Sequence, residues 1–129
     1  MDFSNLYQQA KKSVKPKELS AHASSGGVGA AILTNSGKVY TGVCIDTACS
    51  MGFCAEHSAA AAMVTAGENI IKKMIAVGST GEVIPPCGRC REFISQLAVE
   101  NMNTKVMVAE GTVIKLKELL PLDWKSIKK

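Results

Sequence analysis

Apolar residues recur at spacings of three and four from Phe3 through Leu6, Tyr7, Ala10 and Val14, which predicts an amphipathic helix over residues 3–15, ended by Pro16. A Ser/Gly-rich connection, Ser24 to Gly27, leads into the short apolar run Val28–Leu33, a buried strand. Asn35-Ser36-Gly37-Lys38 is a hairpin turn signal, and Val39–Ile45 is the returning strand. From Cys54 to Ala66 almost every residue is small or apolar, which predicts a helix buried on most sides and stopped by Gly67. Lys73–Val77 reads as a core strand. Pro85-Pro86 blocks a helix until Cys87, after which Cys90, Phe93, Ile94 and Leu97 form one stripe of a helix over 88–98. Two short strands, Lys105–Ala109 and Thr112–Leu116, and a helical turn to Leu120 complete the pattern. The order is helix, two strands, helix, strand, helix, two strands. It predicts one α/β domain over residues 1–129, with helices in three layers around one mixed five-stranded sheet.

Composition narrows the class. The chain has 129 residues and 47% hydrophobic content, enough for one core. Residues 1–10 carry neither a basic nor an apolar signal region, and no stretch approaches the roughly 20 apolar residues that span a bilayer. Five cysteines in a chain without a secretion signal are expected as reduced thiols, which points to the cytoplasm. The net charge of +4 comes from scattered lysines, with one basic run at Lys125, Lys128 and Lys129. Aromatics at 5% offer little stacking platform, so no nucleic-acid polymer and no membrane is expected as partner.

The candidate chemistry lies in Cys54-Ala55-Glu56 and Pro86-Cys87-Gly88-Arg89-Cys90, both at predicted helix N-termini. Cys87 and Cys90 share a face of a first helical turn and can chelate one ion at about 2.3 Å, with Cys54 as third ligand. Three protein ligands leave one tetrahedral position open, the arrangement of a catalytic rather than a structural zinc. Zinc with three thiolates is a net negative centre, and two helix N-termini offset part of that charge. Glu56 stands two residues from a ligand, placed to move protons.

Cys-x-Glu followed by Pro-Cys-x-x-Cys is the zinc-deaminase pattern, in which the Glu is acid and base but not a ligand. Over most of its length the sequence resembles the cytidine deaminase family. Val28-Gly29-Ala30-Ala31 resembles the family's first strand, Thr41-Gly42-Val43 its second, and Glu118-Leu119-Leu120-Pro121 its C-terminal segment. The resemblance implies the cytidine-deaminase-like α/β/α fold and one Zn2+ per subunit on Cys54, Cys87 and Cys90. It also implies Glu56-assisted hydrolysis at C4 of a cytidine or deoxycytidine nucleoside, and a homotetramer whose subunits share active sites.

Several positions depart from the family. His57 stands where three-cysteine members typically carry Arg against the thiolates; it can donate one hydrogen bond, and Arg89 or Arg91 can share the compensating role, with Pro86 supporting the loop. Cys44 and Asp46 replace the Asn-x-Glu that holds the ribose. Gly26 stands where the family has a Phe beside the pyrimidine, and the Gly26–Gly29 run is no phosphate loop, since no Gly-Lys-Ser/Thr follows. The resemblance sets Asp46, Cys44, Ala55, Gly26 and Trp124 around the substrate, Trp124 as the C-terminal aromatic that caps a neighbour's site. The altered positions favour, as a second reading, modified cytosines: N4-substituted or N4-acyl cytidines, or compounds like blasticidin S. A structural zinc module on Cys49, Cys54, Cys87 and Cys90 and a Cys-x-x-Cys redox protein are the competing classes.

Overall fold

The computed structural model describes residues 1–127, so Lys128 and Lys129 of the basic run lie outside the described residues. Helix α1 (Phe3–Ser13) is capped by the Asp2 carboxylate, which accepts the Asn5 backbone N–H at 3.0 Å. It stops two residues short of the expected end. Val14 is already extended and its N–H closes on the Lys11 carbonyl, so the chain turns before Pro16 is reached.

Six strands form the sheet, one more than the pattern predicts. They are β1 (Lys17–Ser20), β2 (Ala23–Thr34), β3 (Val39–Thr47), β4 (Ile71–Gly78), β5 (Lys105–Ala109) and β6 (Thr112–Lys115). β2 is the axis, antiparallel to β1, β3 and β4, and β4 continues parallel to β5. β1 is invisible to periodicity because all four of its residues are exposed, leaving no apolar alternation to read. The Ser24–Gly27 stretch, expected as a connection, is the first part of β2, which pairs β1 and β3 on its two edges.

Alternation along β2 and β4 builds two cores. In register, Ala30 pairs Ala76, Ala31 pairs Ile75 and Ile32 pairs Met74. Ala30, Ile32, Met74 and Ala76 face one side, and Ala31, Leu33, Ile75 and Val77 the other. The second set packs under Leu6 and Ala10 of α1. The first receives helices α2 (Ala55–Thr65) and α3 (Gly88–Leu97) through Ala55, Ala59, Met63 and Ile94. The three-layer arrangement is thus as the sequence predicts. α2 crosses β3 directly over Gly42, where any Cβ would collide with the backbone of Ser58 and Ala59. Its outer face corrects the expectation of burial on most sides: Ala61, Ala62, Val64 and Thr65 are exposed in the single chain.

One polar residue locks the α2–α3 side. Asn101, fully buried, accepts the Ile71 N–H at 2.8 Å and donates to the carbonyls of Asn69 and Ile94, each at 3.0 Å. It joins the end of α3 to the start of β4.

Candidate active site

Cys54 is the N-cap of α2 and Cys87 the N-cap of α3, both with extended backbone, and Cys90 lies in the first turn of α3. The chain delivers Cys54 by a bridge to β3: Phe53 and Ile45 exchange N–H···O bonds of 2.9 and 3.0 Å. It delivers Cys87 through Pro86, whose buried ring and missing N–H keep the segment extended until the helix starts. The three Sγ atoms lie within 4.8 Å of one another, with 3.3 Å between Cys54 and Cys87.

This donor set fits zinc: three soft thiol sulfurs converge, and both helix N-termini aim their positive ends at them. Burial first, then the hydrogen bond with Cys87, pushes the Cys54 thiol up to about 11. Cys90, fully buried, is raised as well, by burial and then by the charge of Glu56. Cys87 moves the other way. Burial opposes its ionisation, but hydrogen bonds from the Cys90 backbone N–H and the neighbouring thiols outweigh it. A bound metal ion would displace the protons of all three thiols.

Glu56 follows in the first turn of α2, 4% exposed. Burial raises its carboxyl above the usual range, against the opposing pull of its own backbone N–H. A carboxyl so placed can hold and release a proton beside the cluster. Ala55, between ligand and acid, is buried against the core.

The neighbouring expectations divide. His57, expected to donate a hydrogen bond against the thiolates, stacks its ring on Phe93 at 4.2 Å and lies 5.1 Å from Phe53, and its buried Nδ1 has no partner among the described residues. Burial, then the charge of Arg89, lowers its pKa and favours the neutral ring. Arg91 is spoken for by backbone, its Nε donating to the Pro86 carbonyl at 2.8 Å and its Nη1 to that of Leu119 at 3.5 Å. Arg89 reaches the Gly52 carbonyl at 3.2 Å.

Cys44 accepts the Val28 N–H at 3.3 Å, closing a bulge in which Gly26, Gly27 and Val28 stand opposite it. Gly26 is buried at φ +85°, where a Cβ would strike the Lys15 carbonyl. Asp46 is exposed near the end of β3. Trp124 does not join the cluster within this chain. It is 61% exposed, and its indole N–H donates to Glu92 at 3.2 Å. Lys125, expected in a free basic run, bridges Asp123 at 2.7 Å and Glu92 at 3.1 Å. Cys49, exposed, is not among the converging thiols, which removes the four-cysteine module.

Two features escaped the sequence reading. Asn101 and the Phe53–His57–Phe93 stack carry no motif, and both depend on contacts between residues distant along the chain.

Three cysteine sulfurs gathered at two helix N-termini and able to hold a metal ion, with a buried carboxylic acid two residues from one of them, mark the class of zinc-dependent hydrolases. The sequence profile of the cytidine and deoxycytidylate deaminase zinc-binding region matches residues 4–106. The chain belongs to that family, and is a hydrolytic deaminase with one zinc per subunit. It is 34% identical over 122 residues to the cytidine deaminase of Sporosarcina psychrophila, covering 90% of this chain and 88% of that one. The cytidine deaminase of Halalkalibacterium halodurans is 33% identical over 98 residues, 73% of this chain and 74% of the relative. The crystal structure of cytidine deaminase from Mycobacterium tuberculosis superposes with a TM-score of 0.80 at 25% identity, over 96% of this chain and 98% of that one.

Proposed function

We propose that the protein hydrolyses the C4 amine of free cytidine or deoxycytidine, giving the uracil nucleoside and ammonia. The observation that carries this reading is the buried Glu56 carboxyl beside three thiols gathered at two helix N-termini. Zinc, when bound by Cys54, Cys87 and Cys90, supplies the Lewis acid that makes water nucleophilic at neutral pH. Glu56 then accepts the proton of the attacking water, gives it to N3 of the pyrimidine, and passes a second to the departing nitrogen. Burial keeps bulk water from competing for those protons.

Asp46 and Cys44 are the residues proposed to meet the sugar, with Asp46 accepting from a hydroxyl. The exposed apolar face of α2, with Val64 46% exposed, supports a homotetramer that covers it, and in that assembly Trp124 caps a neighbour's site. A role in pyrimidine salvage in the cytoplasm follows from the same reading.

A second substrate class has its own support. Gly27 opens toward Cys44, the nearest atom to a Cβ there being its Sγ at 4.0 Å. That room suits a cytosine carrying an N4 substituent, or a compound like blasticidin S. The test is loss of the cytosine absorbance band with zinc-loaded protein on cytidine, deoxycytidine, N4-acetylcytidine and blasticidin S. Turnover of the first pair is the expected result; turnover confined to the second pair favours the modified substrate. No loss with any of the four refutes both.

A further inference from the structure

Cys44 is a weak hydrogen-bond partner for a sugar, and its sulfur already takes the Val28 N–H at 3.3 Å. Asp46 is then left to hold the pentose, and the sheet sets two further side chains beside it. Asp46 lies two residues beyond Cys44 on β3 and so on the same face, the one that α2 and α3 cover. It is also close to the metal ligands: a Cβ on Gly52 would lie 3.1 Å from the Asp46 Cα, and Cys54 follows two residues later. In register, Asp46 pairs Ser24 of β2, and Ser24 pairs Glu18 of β1. Paired residues project from one face of a sheet, so Glu18, Ser24 and Asp46 form a row across three strands. Neighbouring strands are about 4.8 Å apart, which roots the two carboxylates about 10 Å from one another with a hydroxyl between them. The row lines an open cleft of about 390 Å³ that extends to Gly27, the residue facing Cys44. The hairpin carrying Glu18 is pinned to the segment that leads to Cys54, the His22 carbonyl accepting the Ala48 N–H at 3.2 Å. Neither carboxylate is in an ion pair among the described residues, where both pairs belong to Lys125.

We infer that Glu18 is a specificity-determining residue for the sugar, accepting a pentose hydroxyl that Asp46 does not take. An ionised carboxylate only accepts hydrogen bonds, and a pentose offers several hydroxyl donors. Two such acceptors on opposite sides of the cleft bracket a sugar ring that one of them alone holds at a single point. The inference rests on the nucleoside reading of the substrate and extends it to β1, the strand furthest from the metal ligands in the row.

The test is the kinetics of the zinc-loaded parent, Glu18→Ala and Asp46→Ala on cytidine and on its 2′-, 3′- and 5′-deoxy analogues. Glu18 is exposed on an edge strand, so Glu18→Ala is expected to melt with the parent, and thermal melting confirms it. Glu18→Ala is expected to lower kcat/KM for cytidine by roughly 10-fold, the scale of one hydrogen bond to a charged acceptor. That loss is expected to vanish on one analogue, the one lacking the hydroxyl that Glu18 takes, and the loss of Asp46→Ala to vanish on a different one. A merely structural role would lower all four substrates alike. An equal loss on all four therefore overturns the inference, as does parent-like turnover of cytidine by Glu18→Ala, or a loss that vanishes on the same analogue for both variants. A parent protein that leaves cytidine untouched removes the nucleoside reading and the inference together, an outcome distinct from any result confined to Glu18→Ala.

Discussion

Gly26 accepts the backbone N–H of Lys15 at 3.0 Å while the Cβ it lacks would strike the Lys15 carbonyl. The residue is therefore glycine for two reasons, a φ of +85° and a backbone neighbour where a side chain would begin. The family ring is not merely trimmed away here; the backbone has taken a course that cannot carry it. Gly26→Ala is expected to destabilise the protein by about 1–3 kcal/mol from the backbone conformation alone, with more from the collision. Gly27→Ala, which meets only the Cys44 Sγ at ordinary contact distance, is expected to melt within a few degrees of the parent. Thermal melts of the two side by side check this; equal losses would show that the bulge tolerates a side chain at either position.

Asn101 satisfies three backbone groups with one amide, two of them in buried hydrogen bonds and that of Asn69 in a part-buried one. Asn101→Leu fills a similar volume but strands the Ile71 N–H and the carbonyls of Asn69 and Ile94. A destabilisation of about 3 kcal/mol or more is expected, since each stranded group costs roughly 1–3 kcal/mol. Urea denaturation measures it. A loss under about 1 kcal/mol would mean that water replaces the amide.

Glu56→Gln separates proton transfer from metal binding. Turnover is expected to fall by roughly 10²–10⁴-fold, the range for a general acid–base group, with zinc content unchanged. Cys90→Ser is the counterpart: it removes a buried ligand, and both zinc and activity are expected to go. Chelator treatment of the parent should lower the melting temperature as well as the activity, because zinc that binds only the folded state stabilises it. Metal analysis of each purified variant decides between these patterns.

Glu68 ties the β2–β3 hairpin to the chain after α2, accepting from Ser36 at 2.5 Å and Tyr40 at 2.8 Å. The Ser36 bond, joined by those of Tyr40 and Thr34 against a desolvation cost, lowers its pKa. A folded pKa below the unfolded value gives stability that is present above the unfolded carboxylate pKa and lost as pH falls through the folded one. Tyr40 is raised, first by its bond to Glu68, so its contribution is lost as pH rises above the ordinary tyrosine value. Glu68→Gln is expected to melt below the parent at neutral pH and to converge with it in acid. A gap that persists at low pH would contradict the assignment.

Much of this was readable along the chain. Apolar runs at Val28–Leu33 and Lys73–Val77 marked the two strands whose alternating faces hold both cores, and Cys54, Glu56, Cys87 and Cys90 carried the site by spacing alone. What escaped was set by partners distant in sequence. β1 is a strand because β2 offers it an edge, although nothing in Lys-Glu-Leu-Ser alternates. His57 became part of an aromatic stack because α3 brings Phe93 against it, and no local pattern distinguishes that from a histidine facing the sulfurs. Arg91 and Arg89, equivalent by sequence distance to the ligands, were sorted only by which carbonyl each could reach.

The helix that carries Cys87 and Cys90 is also the helix on which the C-terminal segment is moored. Arg91 holds Leu119, and Glu92 takes both the Trp124 indole and the Lys125 ammonium. Force or bulk applied at that end of the chain is transmitted to α3 within a turn or two of the metal ligands. The N-terminal helix is seated on the opposite face of the sheet, where Leu6 and Ala10 pack on Ala31, Leu33, Ile75 and Val77. Bulk added near Met1 is therefore expected to be tolerated better than bulk added near Trp124 and Lys125, which are tied to Glu92 one turn or less from Cys90.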